Sequence, residues 1–539
     1  MDRHRRHLLA VGLGAGAALA AGPGRALTVA ELFPVVETAQ GKLQGLTSGG
    51  VHTFKGVRYG ADTAGKLRFR PPAPPPKWTG VRDALNYGPI PPQGPDSRRR
   101  AYAGLITFDI EPGGMGEDCL VLNLWTPTLE RHAKRPVIFS IHGGGYVFGS
   151  GNTAIYDGEA LARFGDCVVV TINHRLGAFG YLNLADQDPD FATAGSAGMQ
   201  DIVAALRWVK ENIEAFGGDP NRVLAFGQSG GGAKTSMLMA MPSAKGLFHR
   251  AGVQSGSRLT TPGRVEAQKT TRALLKTLAI PEGNAVRQLQ TLPYATLLAA
   301  QLTLSGLPGG STPGPQYYLG PSLDRELPSG PFDPAAPEVS REVPLIIGTC
   351  LDDGAFGPTN YDLDEAGLEA VIARQAGADQ AKAIHALYRA EDPIALPFTL
   401  QGRIAADSGL RQIAALQAER KAAQGGAPVW TYLWSAGSPS FGGRYGAVHA
   451  IDLGPSFHNP HTPVNGGTSE MAQLSDQIAA SWVAFAATGD PNNPQIPHWP
   501  AFTNAGRSTL VFDTHTHVET DPRRAFLEVW RKAGRAPQG

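Results

Sequence analysis

Short β-branched apolar runs alternate with segments of helical periodicity along most of this chain. Val137-Ile138-Phe139-Ser140-Ile141 and Val168-Val169-Val170-Thr171-Ile172 are apolar at almost every position, as strands covered on both faces of a parallel sheet are. Further on the period changes. Ile202, Leu206, Val209, Ile213 and Phe216 are spaced four, three, four and three residues apart, so Asp201 to Phe216 is expected to form a helix with one apolar face. Gly217-Gly218 then ends it. Val223–Phe226, Leu345–Ile347, Val429–Trp434 and Ser508–Phe512 read as further strands, and Ile478, Trp482 and Phe485 mark a late helix. Val35–Thr38 and Lys42–Leu46 flank Gln40-Gly41 as an antiparallel hairpin. This order predicts an α/β protein, with a large doubly wound, mostly parallel sheet and helices on both faces. Residues 303–343 and 441–467, rich in Pro and Gly, read as long ordered loop insertions over that sheet.

Composition narrows the functions that such a fold could serve. The 539 residues carry 48 basic and 47 acidic side chains, a net charge of +1. That balance excludes the basic footprint of a nucleic-acid or anionic-membrane binder. The one basic cluster past the N-terminus, Arg98-Arg99-Arg100, reads as a solvated loop. Three cysteines are too few for a disulfide framework. At the N-terminus, Arg3, Arg5 and Arg6 precede Leu8 to Ala21, a run of Leu, Val, Gly and Ala only. The run is too short to span ~30 Å of hydrocarbon, and small residues at Ala18-Leu19-Ala20 or Gly24-Arg25-Ala26 offer cleavage sites. Residues 1–26 are therefore expected to be a twin-arginine-like export signal, and 27–539 one domain without an integral membrane segment. A bacterial periplasmic or secreted location follows from that expectation.

The chemistry-bearing motifs sit where the strands end. Gly227-Gln228-Ser229-Gly230-Gly231 matches G-x-S-x-G, a pattern that a chain with 67 glycines meets by chance roughly once in two such chains. Context makes it specific. The motif follows strand Val223–Phe226 and opens into Ala233–Met241, the strand–turn–helix order that a nucleophile elbow needs. His142-Gly143-Gly144-Gly145 follows strand Val137–Ile141, and glycines there let backbone N–H groups face a cavity as an oxyanion hole. Asp352-Asp353-Gly354 follows Leu345–Ile347 and offers two carboxylates. His449 lies in the loop after Val429–Trp434, one of 14 histidines, and spacing alone does not single it out.

Ordered motifs across the chain resemble the type-B carboxylesterases of the α/β-hydrolase superfamily, the group of the cholinesterases and bacterial p-nitrobenzyl esterases. They include Phe54-Lys55-Gly56-Val57-Arg58-Tyr59, Arg68-Phe69-Arg70-Pro71-Pro72 and Glu117-Asp118-Cys119-Leu120-Val121-Leu122-Asn123. Asn173-His174-Arg175-Leu176-Gly177, Ala215-Phe216-Gly217-Gly218-Asp219-Pro220-Asn221 and Thr488-Gly489-Asp490-Pro491 continue the series. The resemblance implies Ser229 as nucleophile, His449 as base and then acid, and Asp353 as the orienting carboxylate, with Asp352 the alternative. It implies an oxyanion hole of Gly144, Gly145 and Gly230, and structural ion pairs Arg68–Glu117 and Arg175–Asp201. Tyr146 and Phe148 would line the substrate pocket or pack in the core. The activity implied is hydrolysis of a small-molecule carboxylic ester through an acyl-enzyme, with no metal or organic cofactor and the oligomeric state left open. The same triad could serve an amidase, lipase or acyltransferase, and the fold also serves non-catalytic binding modules. Three positions depart from the family. Gln228 stands where Glu is usual, which removes a negative charge near the histidine. Gly230 replaces a common Ala and should leave the elbow roomier. Pro91 takes the place of the usual disulfide partner of Cys119, which is therefore expected to be a free, buried thiol.

Overall fold

The computed structural model describes residues 28–94, 101–108, 112–283, 285–304 and 317–534. The expected export signal, the Arg98–Arg100 cluster and part of the 303–343 insertion lie outside them. The strands are β1 (Val35–Glu37), β2 (Lys42–Gln44), β3 (Leu46–Ser48), β4 (Val51–Arg58), β5 (Val81–Asp83), β6 (Val121–Thr126) and β7 (Arg135–Ile141). They continue as β8 (Val168–Ile172), β9 (Gly218–Gln228), β10 (Arg250–Gln254), β11 (Leu345–Cys350), β12 (Val429–Trp434), β13 (Ser508–Phe512) and β14 (His517–Thr520). An 11-stranded sheet has the order β14-β13-β12-β11-β10-β9-β7-β8-β6-β4-β3. From β8 to β13 every pairing is parallel, and the outer pairings on both sides are antiparallel. The expected hairpin β1–β2 is antiparallel but belongs to a separate small sheet with β5.

Alternation along the central strands feeds two apolar layers. Val137, Phe139, Ile141, Val223, Ala225 and Ile347 pack on one face with Ile202, Leu206, Val209, Ile213 and Phe216. Ile138, Leu224, Phe226 and Ile346 pack on the other with Ile478, Trp482 and Phe485. Side chains of a strand point alternately to opposite faces, so a run that is apolar throughout requires cover on both. The helix beneath the first face runs Ala197–Asn212 and tightens into a 3-10 turn, Ile213–Phe216, before Gly217 at φ 76°. It begins four residues before the expected Asp201: Met199, three residues before Ile202, extends the apolar face and packs in the same layer. Tertiary packing starts it: a Cβ on Gly198 would strike the Arg175 carbonyl and the Tyr181 ring.

The strand order places the site. The chain reverses its direction of travel across the sheet around β7 and β9, and the crevice outside the carboxyl ends of such strands is where α/β folds bind ligands. Ile141, Gln228, Gln254, Cys350 and Trp434 end β7, β9, β10, β11 and β12 on that side.

Candidate active site

Gly227 and Gly231 make the turn after β9 possible, because a Cβ on either would strike the Ile141 carbonyl. Ser229 takes φ 58° and ψ −123° between them and caps the helix Gly230–Leu238. A non-glycine residue in that region is strained, and here the strain lifts the side chain out of the turn. The Ser229 amide donates to the Gln254 carbonyl at 2.7 Å, and its carbonyl accepts from the Ala233 amide at 3.0 Å.

The glycine turn after β7 lies directly against this elbow. Gly144 and Gly145 have φ 87° and 61°, which a side chain would resist. The Gly143 amide donates to the Tyr156 hydroxyl at 2.7 Å. Among the described residues, the N–H groups of Gly144, Gly145 and Gly230 have no protein acceptor. The roomier elbow expected at Gly230 is not found. Gly145 occupies that space, so that a Cβ on Gly230 would collide with its backbone.

Asp353 opens the 3-10 turn Asp353–Phe356 and is 1 % exposed. Its Oδ1 accepts from His449 Nδ1 at 2.5 Å. Oδ2 accepts from the Ser255 hydroxyl at 2.7 Å and the Cys350 amide at 2.9 Å. Burial opposes its charge, but the facing imidazole and these donors outweigh burial and hold the carboxyl below its usual range. Asp352 is equally buried and points elsewhere. Its carboxylate accepts from Arg403 Nε and from the Ala447 amide, both at 2.8 Å. The structure therefore gives the imidazole to Asp353 and leaves Asp352 as a brace between the helix Pro397–Ala405 and the loop that carries His449.

His449 is held on three sides. Its carbonyl accepts from the Tyr102 hydroxyl, and its ring stacks on Phe356 with centroids 4.6 Å apart. With Nδ1–H on Asp353, Nε2 presents a lone pair, which the Gln228 side-chain amide meets at 3.0 Å. No hydrogen bond joins Ser229 Oγ to this nitrogen. An amide N–H at position 228 can donate to a neutral imidazole, which the carboxylate usual at this position could not do. Tyr146 is half-buried; its ring lies edge-on to Tyr181 and Tyr318, and its hydroxyl reaches Met237 Sδ at 3.9 Å. Phe148, also half-buried, lies edge-on to Phe108, and its ring and carbonyl close over Gly144.

The two ion pairs implied by the resemblance are present and buried. Arg68 meets Glu117 and Arg175 meets Asp201 in forked contacts whose shortest N···O distances are 2.6 Å. Cys119, Cys167 and Cys350 are all free and buried. Ser255, Tyr102, Phe356 and Lys234 were not singled out in the sequence. Two of them carried a signal: Ser255 directly follows β10 as Ser229 follows β9, and Lys234 is the one charge in Ala233–Met241. Behind His449, burial pushes the Asp452 carboxyl up to about 6, with the charge of Asp353 adding to it. Among the described residues no group of three or more His, Cys, Asp or Glu could hold a metal ion.

A strained serine on a strand–helix turn, a glycine turn against it and a carboxylate-bound imidazole define the serine-hydrolase class of the α/β-hydrolase fold. The model of the carboxylesterase family matches residues 33–397 and 398–530, and the chain belongs to that family. It is 35% identical over 499 residues to the para-nitrobenzyl esterase of Bacillus subtilis, covering 90% of this chain and 96% of the relative. It is 33% identical over 504 residues to the phenmedipham hydrolase of Pseudarthrobacter oxydans, covering 89% and 94%. Among solved structures, an esterase from Clostridium hathewayi described as able to hydrolyze aliphatic aromatic polyesters superposes with a TM-score of 0.79 at 34% identity. The match covers 93% of this chain and 98% of that one. The chain is thus a carboxylesterase, hydrolysing carboxylic esters.

Proposed function

We propose that Ser229 attacks the carbonyl carbon of a small-molecule carboxylic ester while His449 Nε2 takes its proton. To do so, Nε2 exchanges its contact with Gln228 for one with Ser229 Oγ as substrate enters. Asp353 keeps the proton on Nδ1 and stabilises the imidazolium. The N–H groups of Gly144, Gly145 and Gly230 receive the tetrahedral oxyanion, each such donor contributing roughly 2.7–4 kcal/mol. The imidazolium then protonates the leaving alcohol oxygen, the C–O bond breaks, and an acyl-serine remains. Water, deprotonated by His449, attacks that ester; the acid leaves and Ser229 regains its proton. Phe356 and Phe148 offer apolar surface beside the reacting atoms, and Tyr146 backs the glycine turn. The aromatic group in the name of the para-nitrobenzyl esterase agrees with such surfaces, so an ester with an aromatic part is the substrate class we favour.

One observation carries this reading: His449 is bonded to Asp353 on one nitrogen and turns the other to the residue beside Ser229. Turnover of p-nitrophenyl acetate by Ser229→Ala tests it. We expect loss of essentially all activity, together with loss of labelling by a fluorophosphonate probe. Retained turnover in the folded variant would refute the assignment.

A further inference from the structure

Lys234 lies in the helix that Ser229 caps, and no step of the hydrolysis described above uses it. Its side chain is completely buried, at 0 % exposure. Nζ donates to the His142 carbonyl at 3.1 Å and lies 5.9 Å from the centre of the Tyr146 ring. Burying an ammonium against one neutral acceptor is costly, and a methionine of similar length would fill the space without that cost. A residue kept against stability points to function. Its contact says which function. His142 is the first residue after β7, and its peptide leads straight into Gly143, Gly144 and Gly145. Lys234 therefore ties the root of the glycine turn to the helix that starts at Ser229.

We propose that Lys234 is a positioning residue for ester hydrolysis: its ammonium clamps the His142 carbonyl and so holds the glycine turn, N–H groups forward, against the Ser229 elbow. The inference rests on the roles proposed above for Ser229 and the glycines. A positive centre behind the turn also favours the tetrahedral oxyanion over the neutral ester, which accelerates the step rather than tightening ground-state binding. The groups facing Lys234 are His142 at the end of β7, His174 after β8 and Tyr146 on the turn. The two imidazoles stack with centroids 4.7 Å apart, and each directs Nδ1 at a carbonyl, that of Gly143 at 2.8 Å and that of Arg175 at 3.0 Å. Burial, with the charge of Lys234 adding to it, keeps both well below the usual range, and burial keeps the Tyr146 phenol well above its own. Arg175, beside His174, spends its charge on Asp201. Of these facing groups, Lys234 is the one that changes charge near neutrality, since burial pulls it from 10.5 to about 7. Its charge is present below that pH and lost above it. The unfolded chain binds the extra proton between about 7 and 10.5, so wild-type stability rises with pH across that window.

The test compares Lys234→Met, Lys234→Gln and Ser229→Ala in the full chain with p-nitrophenyl acetate. For Lys234→Met we expect kcat to fall about 100-fold with KM changed less than about two-fold, and Tm at or above wild type. Affinity for a trifluoromethyl ketone, whose serine adduct carries the same oxyanion, should fall by the same factor as kcat/KM. Lys234→Gln keeps a donor without the charge and should lie between. Wild-type kcat should decline on the alkaline side, and that limb should vanish in Lys234→Met. An unchanged kcat overturns the proposal, as does a lower Tm with unaltered ketone affinity. Should Lys234→Met not fold, Lys234→Gln and the wild-type alkaline limb decide, and a missing limb overturns it. Turnover surviving in Ser229→Ala sinks the underlying site assignment instead; full turnover in the Lys234 variants alone sinks only this inference.

Discussion

Asp353 and Asp352 are neighbours in sequence, 1 % and 2 % exposed, yet the regions they serve differ in kind. On the inner side, Asp353 gathers an imidazole, a hydroxyl and one amide, and its surplus charge is directed at His449. On the outer side, Asp352 is spent on Arg403, which also meets Glu391 at 3.2 Å and Asp392 at 3.3 Å. Its other oxygen takes the amide of Ala447, two residues before His449. Burial therefore does not mark the acid of such a site; the partner does. The outer carboxylate binds the backbone of the histidine loop, and the inner one binds the imidazole itself.

Three substitutions should separate the two regions. Asp353→Asn should have the largest effect, a fall in kcat of roughly 10³–10⁴-fold from loss of the imidazole tautomer and its counter-charge. Steady-state kinetics on the folded variant would break the comparison by returning a near-normal kcat. Asp352→Asn should act mainly on the fold. Weakening a buried ion pair and the bond to the Ala447 amide should cost about 2–4 kcal/mol in denaturant unfolding while kcat falls less than about tenfold. A variant with wild-type stability and no activity would reverse the roles assigned here. The smallest effect is expected for Gln228→Glu. The added carboxylate favours the imidazolium, so the acidic limb of the pH–rate profile should move up by less than about one pH unit. Superimposable profiles would show that position 228 does not act on His449.

Much of the site was legible in the chain because its requirements are local. A turn that passes backbone against backbone admits only glycine, so Gly227, Gly231 and the 143–145 run announce themselves wherever they occur after an apolar β-branched strand. Such strands are legible for a related reason: both faces need cover, so apolar residues fill almost every position. What stayed hidden depends on chain segments far apart. Tyr102 meets His449 across 347 positions and Ser255 meets Asp353 across 98, distances over which no spacing rule operates. The helices between β11 and β12 that bring Arg403 to Asp352 are likewise not legible in the sequence, where only the family resemblance prefers Asp353 to Asp352; in the folded chain the imidazole faces Asp353.

The chain order of strands, elbow and glycine turn, and the ester-hydrolase class they imply, follow from residue chemistry acting over a few positions. Three things required the folded molecule: that Gly145 fills the room left by Gly230, that Gln228 meets the lone pair of His449, and that Lys234 is buried behind the turn. Each is a contact between elements that the strand order brings to one edge of the sheet. Hydrogen-bond directions and burial there are set by the whole fold, not by neighbours in the chain.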